Sequence, residues 1–172
     1  IMCGIAGIIG SKNPERSRSR LEFLLNGIAH RGPDEKGVFF FKHAALGMRR
    51  LSIIDLEGGS QPISNENGNI QLFLNGEIYN YIELKEKHVS EFTCRTGCDV
   101  EIIPFLYRKY GMNFLNHLNG MFSMVIIDEK MNKKYLVKDR YGKKPLYYFK
   151  SKKDLFFSSE IKALKFLKNP EV

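Results

Sequence analysis

No apolar run in these 172 residues approaches the roughly 20 that a membrane-crossing helix needs. The first residues lack the charged leader, apolar stretch and cleavage site of a secretory signal. Cysteine is scarce. Cys3, Cys94 and Cys98 are odd in number and uneven in spacing, which argues against a disulfide framework and for a reducing, cytoplasmic setting. Cys94 and Cys98 have neither a second cysteine pair nor a nearby histidine pair, so no zinc site is expected there. The four histidines, His30, His43, His88 and His117, show no ligand spacing. The serine elbow G-x-S-x-G, the zinc motif H-E-x-x-H and the phosphate loop G-x-x-x-x-G-K-[ST] are all missing. Internal repeats and low-complexity linkers are missing too. What remains is one globular domain, with no metal, no bound nucleotide and no membrane expected of it.

The composition is that of such a domain: 43% hydrophobic, 27% charged, and long enough to bury a core. The net charge of +8 admits an acidic partner or nucleic acid. The Lys and Arg residues are dispersed, however, densest at 16–20, 130–144 and 162–168, as solubilising charge would be. A basic nucleic-acid module would interleave them with aromatics on one face. Only the stretch 141–149 has that character, and no nucleic-acid partner is expected.

Gly4–Ile9 reads as a short buried strand, because both of its faces are apolar or small. A helix follows. Ser19 and Glu22 have capping-box spacing, Leu21, Leu24, Leu25 and Ile28 share a face, and Gly32-Pro33 should end it near His30. Val38–Phe41, Leu51–Ile54 and Ile70–Leu74 read as strands. A short helix is expected from Asn80, and another from about Asp99 to Tyr110, with Pro104 awkwardly inside it. The second half is strand-rich: Met121–Asp128, Tyr135–Lys138, Leu146–Phe149 and Leu155–Phe157. A helix over 160–168 follows. Clustered strands with helices between the clusters imply an α+β fold of antiparallel sheets packed with helices.

The chemistry starts at Met2-Cys3-Gly4-Ile5. Methionine is readily trimmed before a small residue, which would give Cys3 both a thiol and a free α-amine. An unperturbed α-amine titrates at about 7.7–8.0, close to where a general base works best. A nucleophile served by its own terminal amine is an established activation scheme. Taken alone, a small buried residue at a strand start explains Cys3 more simply. The rest of the chain bears on that choice. His30-Arg-Gly-Pro-Asp34, Arg50-Leu-Ser-Ile-Ile-Asp55, Gln61-Pro62, Asn75-Gly-Glu-Ile-Tyr-Asn80 and Thr96-Gly-Cys-Asp-Val-Glu101 occur in order. Leu118-Asn-Gly-Met-Phe122, Lys138-Asp-Arg-Tyr-Gly142, Pro145-Leu-Tyr-Tyr148 and Ser158-Ser-Glu-Ile-Lys-Ala-Leu164 follow. Together they resemble the class II glutamine amidotransferases, a branch of the N-terminal-nucleophile hydrolases, and most of all the asparagine synthetase group with its sugar-amidating relatives.

The resemblance implies a four-layer αββα sandwich of two mainly antiparallel sheets. It implies hydrolysis of glutamine to glutamate and ammonia through a thioester on Cys3. By position, Asn75 (side chain) and Gly76 (backbone N–H) would form the oxyanion hole. Arg50 would grip the substrate carboxylate, and Asp99 the α-ammonium. Backbone groups from Leu51, Ile53, Ile54 and Glu77 would complete the glutamine pocket. The structural alternatives are a turn at Asn75-Gly76, a surface arginine at Arg50, a helix N-cap at Asp99 and a purely architectural turn at 30–34. The resemblance also implies a C-terminal synthetase domain using ATP and Mg in a longer protein, and the present chain reads as a piece of it. No cofactor is expected in the piece itself, and a homodimer is compatible. A relative whose ammonia acceptor is a sugar phosphate or ribosyl donor is the alternative branch. Met48 stands where many relatives have histidine, and Lys138 where arginine is usual. Ile1, ahead of Met2, reads as foreign to the natural protein, since a Cys3 nitrogen left in an amide cannot act as a base.

Overall fold

The computed structural model describes residues 3–50, 61–88 and 98–165. The chain forms two compact units, one from residues 1–53 and 144–172, the other from residues 54–143.

The first unit is built on a five-stranded sheet in the order β2-β3-β1-β9-β8, antiparallel throughout. Its strands are β1 (Gly4–Ile9), β2 (Glu35–Phe41), β3 (Ala44–Arg50), β8 (Tyr147–Lys150) and β9 (Leu155–Ser158). Side chains alternate along β1 as the pleat requires. Ala6 and Ile8 join Ala45 and Phe156 beneath α1 (Arg18–Gly27) and α4 (Ile161–Lys165), while Ile5 is buried on the opposite face. Leu21, Leu24, Leu25 and Ile28, the face expected from the sequence, are all fully buried. Four aliphatic side chains at about 1.5–3 kcal/mol each make this the main attachment of α1.

The entry and exit of α1 differ from expectation. A 3-10 turn at Pro14–Ser17 leads into the helix, and the Asn13 side chain accepts from Arg16 N at 3.3 Å. The Arg18 N–H bonds back to Glu15 O, so the helix begins a residue before Ser19 and the Ser19–Glu22 capping box does not form. Glu22 pairs instead with Lys36 at 2.8 Å. The helix stops at Gly27 and gives way to a second 3-10 turn, Ala29–Arg31. Strand β3 was not foreseen, since its sequence AALGMRR has no β-branched residue. The strand expected at Leu51–Ile54 lies outside the described residues.

The second unit has a four-stranded antiparallel sheet in the order β4-β5-β6-β7. Its strands are β4 (Ile63–Ser64), β5 (Ile70–Ile78), β6 (Gly120–Asp128) and β7 (Lys133–Lys138). Leu72, Leu74 and Ile78 of β5 and Phe122, Met124 and Ile126 of β6 face α2 (Tyr81–His88), α3 (Ile103–Tyr110) and a 3-10 segment, Gly111–His117. On the other face Phe73, Asn75, Ser123, Val125 and Ile127 are also buried. Helix α3 begins at Ile103 rather than Asp99, because residues 98–102 form turns closed by Glu101 N to Cys98 O and Ile103 N to Val100 O. That start explains Pro104. It falls in the first turn, where no intrahelical acceptor awaits its missing N–H, so it neither breaks nor bends the helix. No helix among the described residues is long and apolar enough to cross a membrane.

Candidate functional site

Cys3 is a half-buried free thiol at the head of β1. Two motifs with no assigned chemistry, at residues 30–34 and 158–164, hold it there. The Arg31 side chain donates from Nε to Cys3 O at 3.2 Å and from Nη1 to Glu160 Oε1 at 2.8 Å. Burial leaves the Arg31 and Glu160 side chains only 11% and 27% exposed. The Glu160 carboxyl is held below its ordinary value, first by the Arg31 hydrogen bond. One residue along, Ser159 clamps Ile5. Ile5 N donates to Ser159 Oγ at 3.0 Å, and Ser159 N donates to Ile5 O at 2.9 Å. Gly32 lets this turn lie against the end of β3, where a Cβ would overlap the Arg49–Arg50 peptide, and Asp34 N bonds to Arg50 O at 3.2 Å. Residues 30–34 thus shape the backbone around Cys3. Arg31, Ser159 and Glu160 brace the backbone at Cys3 and Ile5, and the sequence reading left them without a role. The available signal was their place in ordered motifs.

The register pairs Gly4 with Arg49, so one further step of the ladder sets Cys3 opposite Arg50, on the face of the sheet away from α1. Arg50 is not a surface arginine. Its side chain is 12% exposed and pairs with Glu35, its cross-strand neighbour, at 3.3 Å. Met48 lies buried on the same face, paired with Ile5.

Asn75, Gly76, Glu77 and Asp99 belong to the second unit. Asn75-Gly76 is not a turn, because both residues lie inside β5, paired with Ser123 and Phe122. Gly76 has φ +148°, and a Cβ there would overlap Met121 O, so any side chain would force β5 and β6 apart. Just before it, the Gln61 side-chain amide brackets Leu74, accepting from Leu74 N at 2.6 Å and donating to Leu74 O at 2.9 Å. Just after it, Asp99 Oδ2 accepts from Ile78 N at 2.6 Å. Asp99 is therefore no helix cap, since α3 starts four residues later. It is tied to the end of the strand that carries Asn75. Glu77 is exposed. Asn80 completes the motif by pinning the segment before β6, bonding His117 O and Asn119 N at 2.9 Å each. Asn75 itself is 1% exposed, yet its Nδ2 has no hydrogen-bond partner. A buried amide N–H2 without an acceptor costs about 1–3 kcal/mol, so this one calls for an explanation. Leu51, Ile53 and Ile54 lie outside the described residues.

Comparison with known proteins identifies the family. The family model described as "Glutamine amidotransferase domain" matches residues 2–172. Asparagine synthetase [glutamine-hydrolyzing] 2 of Bacillus subtilis (strain 168) is 44% identical over 95% of this chain and 22% of its own length. Asparagine synthetase [glutamine-hydrolyzing] 1 of the same organism is 39% identical over 98% of this chain and 27% of its own. Amidase chry2 of Gibberella zeae is 41% identical over 94% of this chain and 26% of its own. The chain thus spans about a quarter of the length of these relatives. Among solved structures, the glutamine phosphoribosylpyrophosphate amidotransferase from B. subtilis, complexed with ADP and GMP, superposes with a TM-score of 0.79 at 21% identity. It covers 96% of this chain and 44% of that one, and the two share one fold. A family match over residues 2–172 and identities of 39–44% over nearly the whole chain show that the chain belongs to the glutamine amidotransferase domain family.

Proposed function

We propose that the chain hydrolyses glutamine to glutamate and ammonia, with Cys3 as nucleophile and its own α-amine as general base. The thiolate attacks the side-chain amide carbon, and the proton passes through the amine to the leaving ammonia. Water then hydrolyses the thioester and regenerates Cys3. Asn75 Nδ2 and the Gly76 N–H stabilise the oxyanion of each tetrahedral intermediate. Arg50 holds the substrate carboxylate and Asp99 the ammonium, with backbone groups of Leu51, Ile53, Ile54 and Glu77 around them. The observation that carries this reading is the buried, unpartnered Nδ2 of Asn75. In the whole protein the ammonia passes to an ATP- and Mg-using synthetase domain of the asparagine synthetase type, in the cytoplasm. The relatives' names and greater length support a further domain of the asparagine synthetase type. The test is N-terminal chemistry. Protein whose first residue is Cys3, verified by mass spectrometry, should release ammonia from glutamine, and protein retaining Ile1-Met2 should not. Equal turnover by both would refute the terminal-amine mechanism.

A further inference from the structure

Four buried side-chain polar atoms among the described residues have no hydrogen-bond partner, and two of them belong to cross-strand neighbours. Asn75 Nδ2 is one and Ser123 Oγ is the other. Asn75 and Ser123 are direct partners in the β5–β6 ladder, which sets their Cβ atoms about 4.5–5.5 Å apart on one face. Ser123 is 0% exposed, and the next pair along that face, Phe73 and Val125, is fully buried and apolar. The third member of the Ser123 row, Lys138 of β7, is exposed.

A hydroxyl here lowers stability. A buried serine ordinarily turns its O–H to a nearby carbonyl, whereas this one leaves a donor unmade at about 1–3 kcal/mol. An apolar residue of similar size would occupy the position without that penalty. Two adjacent orphan donors on one face of a sheet are explained together if a single acceptor oxygen completes both. We propose that Ser123 Oγ–H is a second side-chain donor to the oxygen bound by Asn75 Nδ2, the glutamine side-chain carbonyl oxygen as it becomes an oxyanion. This rests on the glutaminase reading above and adds a catalytic residue to it. Ser123 takes no part in bond making. It donates a hydrogen bond that strengthens as negative charge grows on that oxygen, so it favours the transition state over bound glutamine.

The experiment compares Ser123→Ala with wild type in the full-length protein bearing an N-terminal Cys3, with Asn75→Ala as reference. Ser123→Ala should lower glutaminase kcat about tenfold or more with KM within about twofold, the signature of a contact made mainly in the transition state. It should leave Tm unchanged or raise it, because the variant loses an unpaired polar group and no internal hydrogen bond. The γ-aldehyde analogue of glutamine, which forms a tetrahedral adduct with the cysteine, should bind more weakly by a similar factor. Ser123→Cys, nearly isosteric and a weaker donor, should fall between the two. Wild-type kcat in Ser123→Ala would overturn the proposal. So would a fall in kcat accompanied by a lower Tm or loss of folding, which marks a packing residue. Wild-type kcat in Ser123→Cys would overturn it as well. If the wild-type protein itself fails to hydrolyse glutamine, the reading beneath the proposal is what fails.

Discussion

Replacing Arg31 by alanine removes a hydrogen bond to the Cys3 carbonyl, an ion pair to Glu160 and a buried guanidinium nitrogen, Nη2, that has no partner. The first two stabilise the fold, each by about 1.5–3 kcal/mol as hydrogen bonds to a charged group. The Glu160 end, at 27% side-chain exposure, is partly rehydrated when the partner goes, which lowers its share. Removing the orphan Nη2 returns about 1–3 kcal/mol. Net destabilisation should therefore be small, roughly 0–3 kcal/mol. Catalysis has no such offset. A nucleophile displaced by about 1 Å can lose about 10²-fold in rate, and Arg31 is the side chain that ties the Cys3 backbone. Arg31→Ala should thus lower kcat about a hundredfold while shifting Tm by only a few degrees. Glu160→Gln keeps an acceptor for Arg31 and should lose less than tenfold. The pH dependence has a definite sign. The Glu160 pKa is depressed in the folded state, so the pair's stabilisation is present above the unfolded value near 4.5 and lost as pH falls through the folded value. The Tm gap between wild type and Arg31→Ala should therefore close on acidification below about pH 4.5. Ammonia release with saturating glutamine and thermal melts from pH 3 to 7 measure both effects. A kcat for Arg31→Ala within about threefold of wild type would show that Cys3 needs no such tether.

An electrophilic glutamine analogue should label Cys3 and spare Cys98, whose thiol is pushed up chiefly by burial and so stays protonated; Cys3→Ala should abolish hydrolysis, and labelling found at Cys98 by peptide mass spectrometry would contradict the assignment. Asp99→Asn keeps an acceptor for Ile78 N but removes the charge, and with Arg50→Ala it should raise KM more than it lowers kcat, at a cost of about 2–5 kcal/mol for each charge-assisted contact. Steady-state kinetics with unchanged KM in both variants would remove these residues from the substrate's amino-acid end. At the end of α2, His88 Nδ1 lies 2.9 Å from the Tyr110 hydroxyl, and its ring is 4.8 Å from that of His117. Burial foremost, then His117, Lys109 and Lys87, holds the His88 pKa below its ordinary value, against Glu83. That contribution is present above about pH 6.5 and lost as pH falls through the folded value, so α2 amides should exchange faster at about pH 5 than at pH 7 once intrinsic rates are allowed for. His117→Gln should shrink the difference, and an unchanged difference would place the titrating group elsewhere.

Strands rich in β-branched and aromatic residues were legible in the chain itself. Gly4–Ile9 forms as expected, Ile70–Leu74 extends to Ile78 in β5, and Met121–Asp128 gains only Gly120 in β6. Side-chain pattern carries that information locally. The amphipathic face of α1 was legible for the same reason, through Leu21, Leu24, Leu25 and Ile28. The candidate nucleophile and the candidate oxyanion donors could be proposed only from motifs in order, because Cys3 and Asn75-Gly76 have bland local readings. Strand β3 was not readable, since the pairing of Ala44–Arg50 between β1 and β2, rather than its own propensity, makes it a strand. Pro104 looked like a fault until the turns at residues 98–102 moved the helix start to Ile103. Tertiary structure alone decided that Arg31 and Glu160, 129 residues apart, meet at Cys3, and that Asn75 and Ser123 share a row with neither polar group satisfied. Hydrogen bonds across such separations depend on register and burial, which emerge only when distant segments close on one another and the backbone leaves each polar atom either a partner or none.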